Sequence, residues 1–377
     1  MQRHLQLATL IFAASVISAA QSPNPRLYRS GSEWIQEVTG TFSAGKMVKV
    51  KSSSGSIRIQ GAQQNNITYT IREHVRAVSE ETARRELGRM KFTTYSSGEM
   101  VVLRADCEGS KQGSIDFDIQ VPLQTSLVKL ETDGGAVVAK NLSGRVEANT
   151  GAGNIQLDQI SGVIAVASGG GNIEIGKVGS DVQASTGGGS IRLVSAAGQV
   201  TAKSGGGNLN IGWAKVMTLR TEGGSIRVAK CDGQIRAETA GGNIDLNEIA
   251  GAAQIETGGG SIHFGPIKGG VRAKTEAGAI VARLAQGGTF TDSQLDTSMG
   301  DIVVYVPEGL GVNVRAAVEV ARGYDITSEF RELKITKPSE NIGPREVYAE
   351  GSLYGGGPVL HVHTTAGNIE IKREAKR

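Results

Sequence analysis

The stretch Gln183-Ala-Ser-Thr-Gly-Gly-Gly-Ser-Ile-Arg-Leu193 is one copy of a phrase that recurs along the chain and decides its fold. In each copy a Gly directly precedes an Asn, Ser or Ala followed by an aliphatic residue, and we call this Gly the anchor. The anchors are Gly135, Gly153, Gly171, Gly189, Gly207, Gly224, Gly242, Gly260 and Gly278. Successive anchors are 18 residues apart, except for the 17 between Gly207 and Gly224. Such a short and regular period is typical of a solenoid.

Apolar and polar residues alternate on both sides of each anchor. Around Gly153, apolar residues stand seven and five places before the anchor (Val146 and Ala148) and two and four places after it (Ile155 and Leu157). This alternation indicates strands with one buried face. A second Gly stands nine places before many anchors and marks another bend. We therefore predict an all-β fold, a parallel β-helix whose coils of about 18 residues contain at least two strands and two bends.

Small polar residues flank the anchors at fixed places. A Ser or Thr stands three places before each anchor, and we predict that its hydroxyl bonds to backbone groups at the corner or in the next coil. The anchors themselves are predicted to provide the positive φ angles of a sharp turn. Asn and Ser alternate directly after the anchors from Asn172 to Ser261. The residues alone give no physical reason for this alternation.

The repeats divide the chain into five segments. Residues 1–20 carry Arg3, an apolar run and small residues at 18–20, which predicts a cleavable secretory signal. Residues 21–44 are predicted to be a flexible lead-in. The remaining segments are predicted to be N-terminal strands with a helix (45–125), a regular solenoid (126–305) and irregular C-terminal strands that end in a last repeat (306–377).

One helix is predicted, at about residues 80–91. Ser79 can cap it, and Ala83, Leu87 and Met90 fall on one helical face. A single amphipathic helix beside a solenoid is expected to cover one end of the stack, because an exposed sheet end invites edge-to-edge association.

Composition bounds the class of protein. The chain has 53 Gly and only 4% aromatic residues, which suits tight turns and a narrow core. Its 40 basic and 37 acidic residues leave a net charge of +3, which predicts no nucleic-acid partner. No stretch is long and apolar enough to predict a membrane span. The two cysteines, Cys107 and Cys231, are predicted to be unpaired. An exported protein is expected, located in the periplasm, on the outer surface or outside the cell.

Three motifs could carry chemistry, and each is better explained by the repeat. Residues 171–177 match the start of a phosphate-binding loop, but Val178 stands where a Ser or Thr would bind Mg²⁺. Three further copies of the phrase are anchored by Gly55, Gly300 and Gly367. A calcium solenoid would repeat an Asp in every turn, whereas Asp301, after Gly300, is the one Asp that directly follows an anchor. His361 and His363 share one face of a strand without an evident third ligand nearby. We therefore predict no catalytic, cofactor-binding or metal-binding residues.

Outward residues form a column three places after the anchors. The column runs through Gln156, Glu174, Arg192, Asn210, Arg227, Asp245 and His263. Opposite charges in neighbouring copies, Glu174 with Arg192 and Arg227 with Asp245, are expected to pair across strands. Any site is expected among such variable outward residues or at the ends of the stack.

The chain also resembles a known family. The phrase Thr-x-x-Gly-[Asn/Ser/Asp]-Ile-x-[Ile/Leu], the element Phe117-Asp-Ile-Gln-Val-Pro122 and the ending Gly351 to Leu360 followed by Gly367-Asn-Ile-Glu-Ile371 look like the putative-adhesin family of bacterial envelope proteins. The resemblance covers roughly residues 45 to 373. It implies a parallel β-helix of the pectate-lyase-like kind, exported to the envelope, and it carries over no catalytic residues.

Two functions are compatible with this sequence. The first is a non-enzymatic exported adhesin or scaffold whose extended face binds a surface glycan, an envelope protein or a second copy. The alternative is a carbohydrate-active enzyme, a polysaccharide lyase or hydrolase, built on the same β-helix.

Overall fold

The computed structural model describes residues 17–18, 20–21, 25–43, 45–107, 109–110, 113–321, 323–337 and 346–375. These residues form a parallel β-helix with one short α-helix, so the predicted fold class is confirmed. The N-terminal elements are β1 (Ile17–Ser18), β2 (Ala20–Gln21), β3 (Arg26–Ser30), β4 (Glu33–Phe42), β5 (Met47–Ser52), β6 (Ile57–Ala62), β7 (Ile67–Arg76), α1 (Glu80–Leu87), β8 (Lys91–Ser97), β9 (Met100–Asp106) and β10 (Gly113–Pro122).

The central strands follow the repeat. They are β11 (Leu127–Thr132), β12 (Val137–Leu142), β13 (Arg145–Thr150), β14 (Ile155–Ile160), β15 (Ile164–Ser168), β16 (Ile173–Val178), β17 (Val182–Thr186), β18 (Ile191–Ser204), β19 (Leu209–Thr221), β20 (Ile226–Cys231), β21 (Ile235–Thr239), β22 (Ile244–Ile249), β23 (Ala253–Thr257), β24 (Ile262–Ile267), β25 (Val271–Ala277) and β26 (Ile280–Leu284). The C-terminal strands are β27 (Ser293–Met299), β28 (Ile302–Val306), β29 (Val312–Val318), β30 (Ile326–Ser328), β31 (Lys334–Thr336), β32 (Val347–Leu353), β33 (Val359–Ala366) and β34 (Ile369–Arg373).

Each coil contributes one strand to each of two sheets. Sheet 1 holds the strands that precede an anchor, and sheet 2 holds those that follow it, with β18 and β19 running through the second corner from sheet 2 into sheet 1. In spatial order, the sheet-1 members of the fourteen coils are β9, β5, β11, β13, β15, β17, β18, β19, β21, β23, β25, β27, β33 and β29. With parallel strands about 4.8 Å apart, the stack is on the order of 60 Å long.

Coils at both ends stack out of chain order. The coil of β5 and β6 lies between the later coil of β9 and β10 and the coil of β11 and β12. At the other end, the chain's last repeat, β33 and β34, lies between the coil of β27 and β28 and the coil of β29 and β30. The last repeat in sequence is therefore the next-to-last coil in space.

The core lies between the inner faces of the two sheets. The inward places predicted from alternation are buried in every regular coil, including Val146, Ala148, Ile155 and Leu157. In one copy the usual order of large and small residues is reversed, and both Ala253 and Ile255 are buried. Such exchange keeps the core volume nearly constant, which close packing requires.

The 17-residue coil is accommodated at the second corner. Ala196 pairs with Ala214, and Gln199 pairs with Val216, so one residue is missing between these two pairs. The inward columns stay in register on both sides of the deletion.

Side-chain hydroxyls join successive coils at the first corner. Thr150 Oγ1 donates to the carbonyl oxygen of Gly135, the preceding anchor, at 2.8 Å, and accepts the amide of its own anchor, Gly153, at 3.1 Å. The bond to the preceding anchor recurs through the stack, with donors Thr132, Ser168, Thr186, Ser204, Thr221, Thr239, Thr257, Thr275, Thr297 and Thr364. The predicted role of the Ser/Thr column is confirmed.

The anchors are glycine because stacked backbones approach closely, not because φ is positive. A Cβ on Gly242 would lie 2.0 Å from the carbonyl oxygen of Gly224, the anchor of the preceding coil. At each of the other regular anchors, an added Cβ would lie 1.8 to 2.2 Å from the carbonyl oxygen of the preceding anchor. Among the repeat anchors, positive φ occurs at Gly55 and Gly300, which lie in coils toward the two ends of the stack. The predicted positive φ is therefore wrong for the regular coils.

The Asn and Ser residues after the anchors form a second ladder. Asn172 Oδ1 accepts the amide of Ser190 at 2.8 Å, and Ser190 Oγ accepts the amide of Asn208 at 3.2 Å. Both residue types can therefore serve the amide of the next coil, and Asn reaches it at the shorter distance.

The N-terminal segment is structured where a flexible lead-in was predicted. Residues 26–42 form β3 and β4, and β4 pairs antiparallel with β7. The prediction was wrong because the local pattern is largely polar, and β4 acquires its buried side chains from contacts with distant strands. Of the predicted signal, residues 1–16 and 19 lie outside the described residues.

The helix is shorter than predicted. It spans Glu80–Leu87, not 80–91, and Ser79 Oγ accepts the amide of Thr82 at 3.3 Å as its cap. Gly88 ends it, and Met90 is buried beyond the last turn. Ala83 and Leu87 face the core beside β4 and β7, at the N-terminal end of sheet 2.

Candidate functional site

The outward column after the anchors lies on the outer face of sheet 2. Its members are cross-strand neighbours in the order predicted. Arg227 Nε lies 3.3 Å from Asp245 Oδ2, and Asp245 Oδ1 lies 3.2 Å from His263 Nδ1. The predicted pair of Arg227 and Asp245 is confirmed. Glu174 and Arg192 are neighbours in register, but these two described side chains form no ion pair.

A groove runs beside this column. It crosses β18, β19, β20 and β22, has a volume of about 730 Å³ and is open to solvent. One wall consists of the charged and polar column. The other side consists of the residues two places further on, which are short. The side chains that line it are Arg192, Val194, Asn210, Arg227, Ala229, Asp245 and Asn247, together with the backbone of Gly212. We call this surface the sheet-2 groove.

The short residues explain why a groove forms here. Gly212 lies in the middle of the floor, where a Cβ would come 2.2 Å from the carbonyl oxygen of Val194. Ala229 follows in the next coil, so side chains of the polar column rise above a low floor. The side chain of Val194 is 50% exposed, which leaves an apolar patch at one end of the groove.

The charge of the sheet-2 groove is unbalanced. The carboxylate of Asp245 neutralises the guanidinium of Arg227. In the described part of the chain no carboxylate forms an ion pair with the exposed guanidinium of Arg192. The groove therefore presents one uncompensated cation, next to the amide of Asn210, and a second amide at Asn247 in the fourth coil.

Comparison with known proteins adds little. No family model and no curated protein matches the chain. Two solved structures are similar over 90% of this chain: a putative cell adhesion protein from Clostridium sporogenes (12% identity, 100% of that chain, TM-score 0.18) and a putative adhesin from Bacteroides fragilis (11% identity, 97% of that chain, TM-score 0.24). At these TM-scores the likeness supports no conclusion about function.

The sequence located the column but missed the groove. Val194 and Ala229 have no special place in the repeat phrase, and alternation assigns only inward or outward direction. Trp213 follows Gly212 towards the second corner and donates from Nε1 to Asp232 Oδ2 at 2.9 Å. The usable signal was the run of small residues five places after successive anchors, Gly176, Gly212 and Gly265 among them.

The phosphate-loop-like segment 171–177 and Asp301 both have structural roles in the coil corners. The amide of Gly171 is bonded to Ser168 Oγ and its carbonyl to Thr186 Oγ1, so this corner is occupied by its own coils. Asp301 Oδ1 accepts the amide of Asn368 at 2.7 Å, in the Asn and Ser ladder.

The two C-terminal histidines differ in surroundings. His361 is exposed, whereas His363 lies 3.7 Å from Asp296 Oδ1 on β27 and 3.2 Å from Glu319 Oε1, one residue after β29. Within the described ranges, no group of three or more His, Cys, Asp or Glu residues has the arrangement of a metal site.

Both cysteines are buried and free, as predicted. Burial raises the pKa of each thiol, Cys107 and Cys231. Cys231 occupies an inward column between Ala214 and Ile249. Within the described part of the chain, no helix is long and apolar enough to span a bilayer.

Proposed function

We propose that the protein is a non-catalytic exported protein of the bacterial envelope that binds a surface polysaccharide along the sheet-2 groove. The observation that carries this proposal is the shape of the groove, which crosses four stacked coils and is open to solvent. The export signal expected at residues 1–20 supports the location. Repeat solenoids commonly bind along such extended faces.

The lining suits a carbohydrate chain. The amides of Asn210 and Asn247 each offer donors and acceptors, as sugar hydroxyls require. The apolar surfaces of Val194 and Ala229 can contact the C–H faces of sugar rings. Coils repeat about every 4.8 Å along the stack, so a polymer lying along the groove can contact four successive coils.

The test is direct binding with matched variants. Purified protein is incubated with a panel of neutral and acidic polysaccharides, and binding is measured by affinity electrophoresis. Arg192→Ala should weaken binding roughly tenfold, the equivalent of about 1.4 kcal/mol. The control is Lys203→Ala, which removes an exposed cation from the outer face of sheet 1.

Two results would contradict the proposal. Equal binding by parent and Arg192→Ala would show that the sheet-2 groove is not the binding surface. Release of reducing ends or unsaturated products that Arg192→Ala or Asp245→Asn abolishes would show that the protein is a carbohydrate-active enzyme.

A further inference from the structure

A second groove lies on the outer face of sheet 1. It has a volume of about 440 Å³ and runs from Gln199 on β18 to the segment before β27. Its long polar side chains are those of Gln199, Gln234, Arg236, Gln254 and Arg272. We call it the sheet-1 groove. It shares no lining residue with the sheet-2 groove.

Small residues form its floor and an enlarged coil closes its end. Val216, Ala252 and Gly270 stand where the strands leave the second corner, so little side-chain volume rises there. The coil between anchors Gly278 and Gly300 has 22 residues, and its extra length brings Thr291 to the end of the groove. A Cβ on Gly270 would lie 2.1 Å from Thr291 Oγ1, so this wall packs tightly.

The lining favours a hydroxyl-rich, anionic chain. The side-chain amides of Gln199, Gln234 and Gln254 are exposed and make no hydrogen bond within the described part of the chain. Arg236 pairs with Glu238, but no carboxylate of the described residues pairs with the exposed Arg272. The groove thus offers three free amides and the guanidinium of Arg272, which can bind a carboxylate in a bidentate manner. The carboxylate of Asp292 also lines the groove, at its closed end, where Oδ1 accepts the amide of Val359 at 2.8 Å.

The two grooves face opposite directions at the same level of the stack. The sheet-2 groove crosses β18, β19, β20 and β22, and the sheet-1 groove crosses β18, β19, β21, β23 and β25. Because the inner faces of the sheets pack together in the core, their outer faces point apart. The second corner separates the two grooves, so a ligand in one does not obstruct the other.

We propose that the protein is bivalent, and that it holds one acidic polysaccharide chain in each groove and thereby cross-links them. The sheet-1 groove is a site in its own right. The cross-linking also rests on the binding proposed for the sheet-2 groove. Two sites on one rigid body raise the avidity for a polymer network without any new contact.

The experiment is a bridging assay with polygalacturonate, which carries a carboxylate on each sugar. Biotinylated polygalacturonate is immobilised, the full chain is added, and the retained protein and its capture of fluorescein-labelled polygalacturonate are both measured. Arg192→Ala and Arg272→Ala should each still be retained on the immobilised polymer, while bridging falls at least roughly tenfold. The double variant should lose both signals, and Lys203→Ala should keep both.

Five outcomes would overturn the proposed cross-linking. Bridging by Arg272→Ala at the parent level would show that the sheet-1 groove does not bind. If Arg192→Ala is no longer retained on the immobilised polymer, the sheet-2 groove is the single binding site. Bridging that requires a dimer, seen by light scattering of the parent, would assign cross-linking to self-association. Absence of retention of the parent protein would exclude a polyuronate as the ligand. If Arg192→Ala bridges as well as the parent while Arg272→Ala does not, the sheet-2 groove fails and the sheet-1 groove stands.

Discussion

Each corner hydroxyl ties one coil to the preceding one. Thr239 Oγ1 donates to the Gly224 carbonyl at 2.8 Å and accepts the Gly242 amide at 3.2 Å, while its side chain is only 6% exposed. Gly224 is buried as well, so its carbonyl loses a buried partner when the hydroxyl is removed. A buried polar group that loses its partner costs about 1–3 kcal/mol.

Thr239→Val should therefore destabilise the protein by about 1–3 kcal/mol, because it keeps the shape and removes the hydroxyl. The measurement is the free energy of unfolding in urea. The control is Thr201→Val, at an outward place on the same sheet, which should change stability by less than about 0.5 kcal/mol. If the two variants lose the same free energy of unfolding, the corner hydrogen bonds stabilise the fold no more than an outward hydroxyl does.

Anchor glycines differ from their neighbours in the space around them. A Cβ added to Gly242 would lie 2.0 Å from the carbonyl oxygen of Gly224, whereas a Cβ added to Gly241 would have no atom within 4 Å. Gly242→Ala should therefore force two coils apart and prevent a stable fold, while Gly241→Ala should fold normally. Circular dichroism and soluble yield compare them, and a well-folded Gly242→Ala protein would contradict the stacking geometry.

At the scale of elements, His74 joins three N-terminal strands. Its Nδ1 lies 3.5 Å from Glu33 Oε2 on β4, and its Nε2 lies 3.4 Å from Asp116 Oδ2 on β10. The contact with Asp116 raises the pKa of His74 above its ordinary value, although burial opposes this. Burial also acts to raise the pKa of Asp116, but the bonds from His74 and the Ser56 amide hold it below its ordinary value.

These shifts predict the pH at which the N-terminal strands are most stable. The raised pKa of His74 means that its contribution is complete below about pH 6.5 and is lost as pH rises through the folded value. The lowered pKa of Asp116 means that its contribution is present above about pH 4 and is lost on acidification. His74→Gln should therefore cost most stability near about pH 5.5 and little near about pH 9.

Urea unfolding at both pH values measures this difference. His263→Gln is the matched control, because His263 is exposed and contacts a single carboxylate, that of Asp245. A cost for His74→Gln that does not change with pH would show that the pairs with Glu33 and Asp116 carry no net charge interaction.

At the scale of the whole molecule, the stack depends on coils placed out of chain order. The strand β33 pairs with β27 on one side and β29 on the other, across 67 residues from Ser293 to Leu360 in the first case. Removing the last repeat therefore removes an interior coil, not a terminal one.

A chain that lacks residues 358–377 should expose four strand edges, those of β27 and β29 in sheet 1 and of β28 and β30 in sheet 2, and should self-associate. Size-exclusion chromatography with light scattering measures the change in mass. The control lacks only residues 374–377, which removes the ion pair of Glu374 with Arg283 and keeps β33 and β34. A monomeric, equally stable protein after the longer deletion would contradict the observed order of coils.

How much the sequence could predict differs between the repeat and its surface. The inward residues and the Ser/Thr corners were predictable, because strand alternation and an 18-residue period act locally and repeat. The groove on sheet 2 was not, since its depth depends on Gly212 and Ala229 lying beside the longer residues of neighbouring coils. The ion pair of Arg227 with Asp245 was predictable from register alone, whereas the separation of Glu174 from Arg192 depends on the rotamers that each side chain adopts.

The repeat pattern is enough to predict that this chain forms coils, how long each coil is and which side chains enter the core. Its phrase makes every coil locally alike, so any coil could in principle stack on any other. The position of β5 and β33 inside the stack is visible only in the folded molecule, since it depends on packing between segments far apart in the chain. The grooves likewise exist only once the coils are stacked, because each of their walls is built from successive coils.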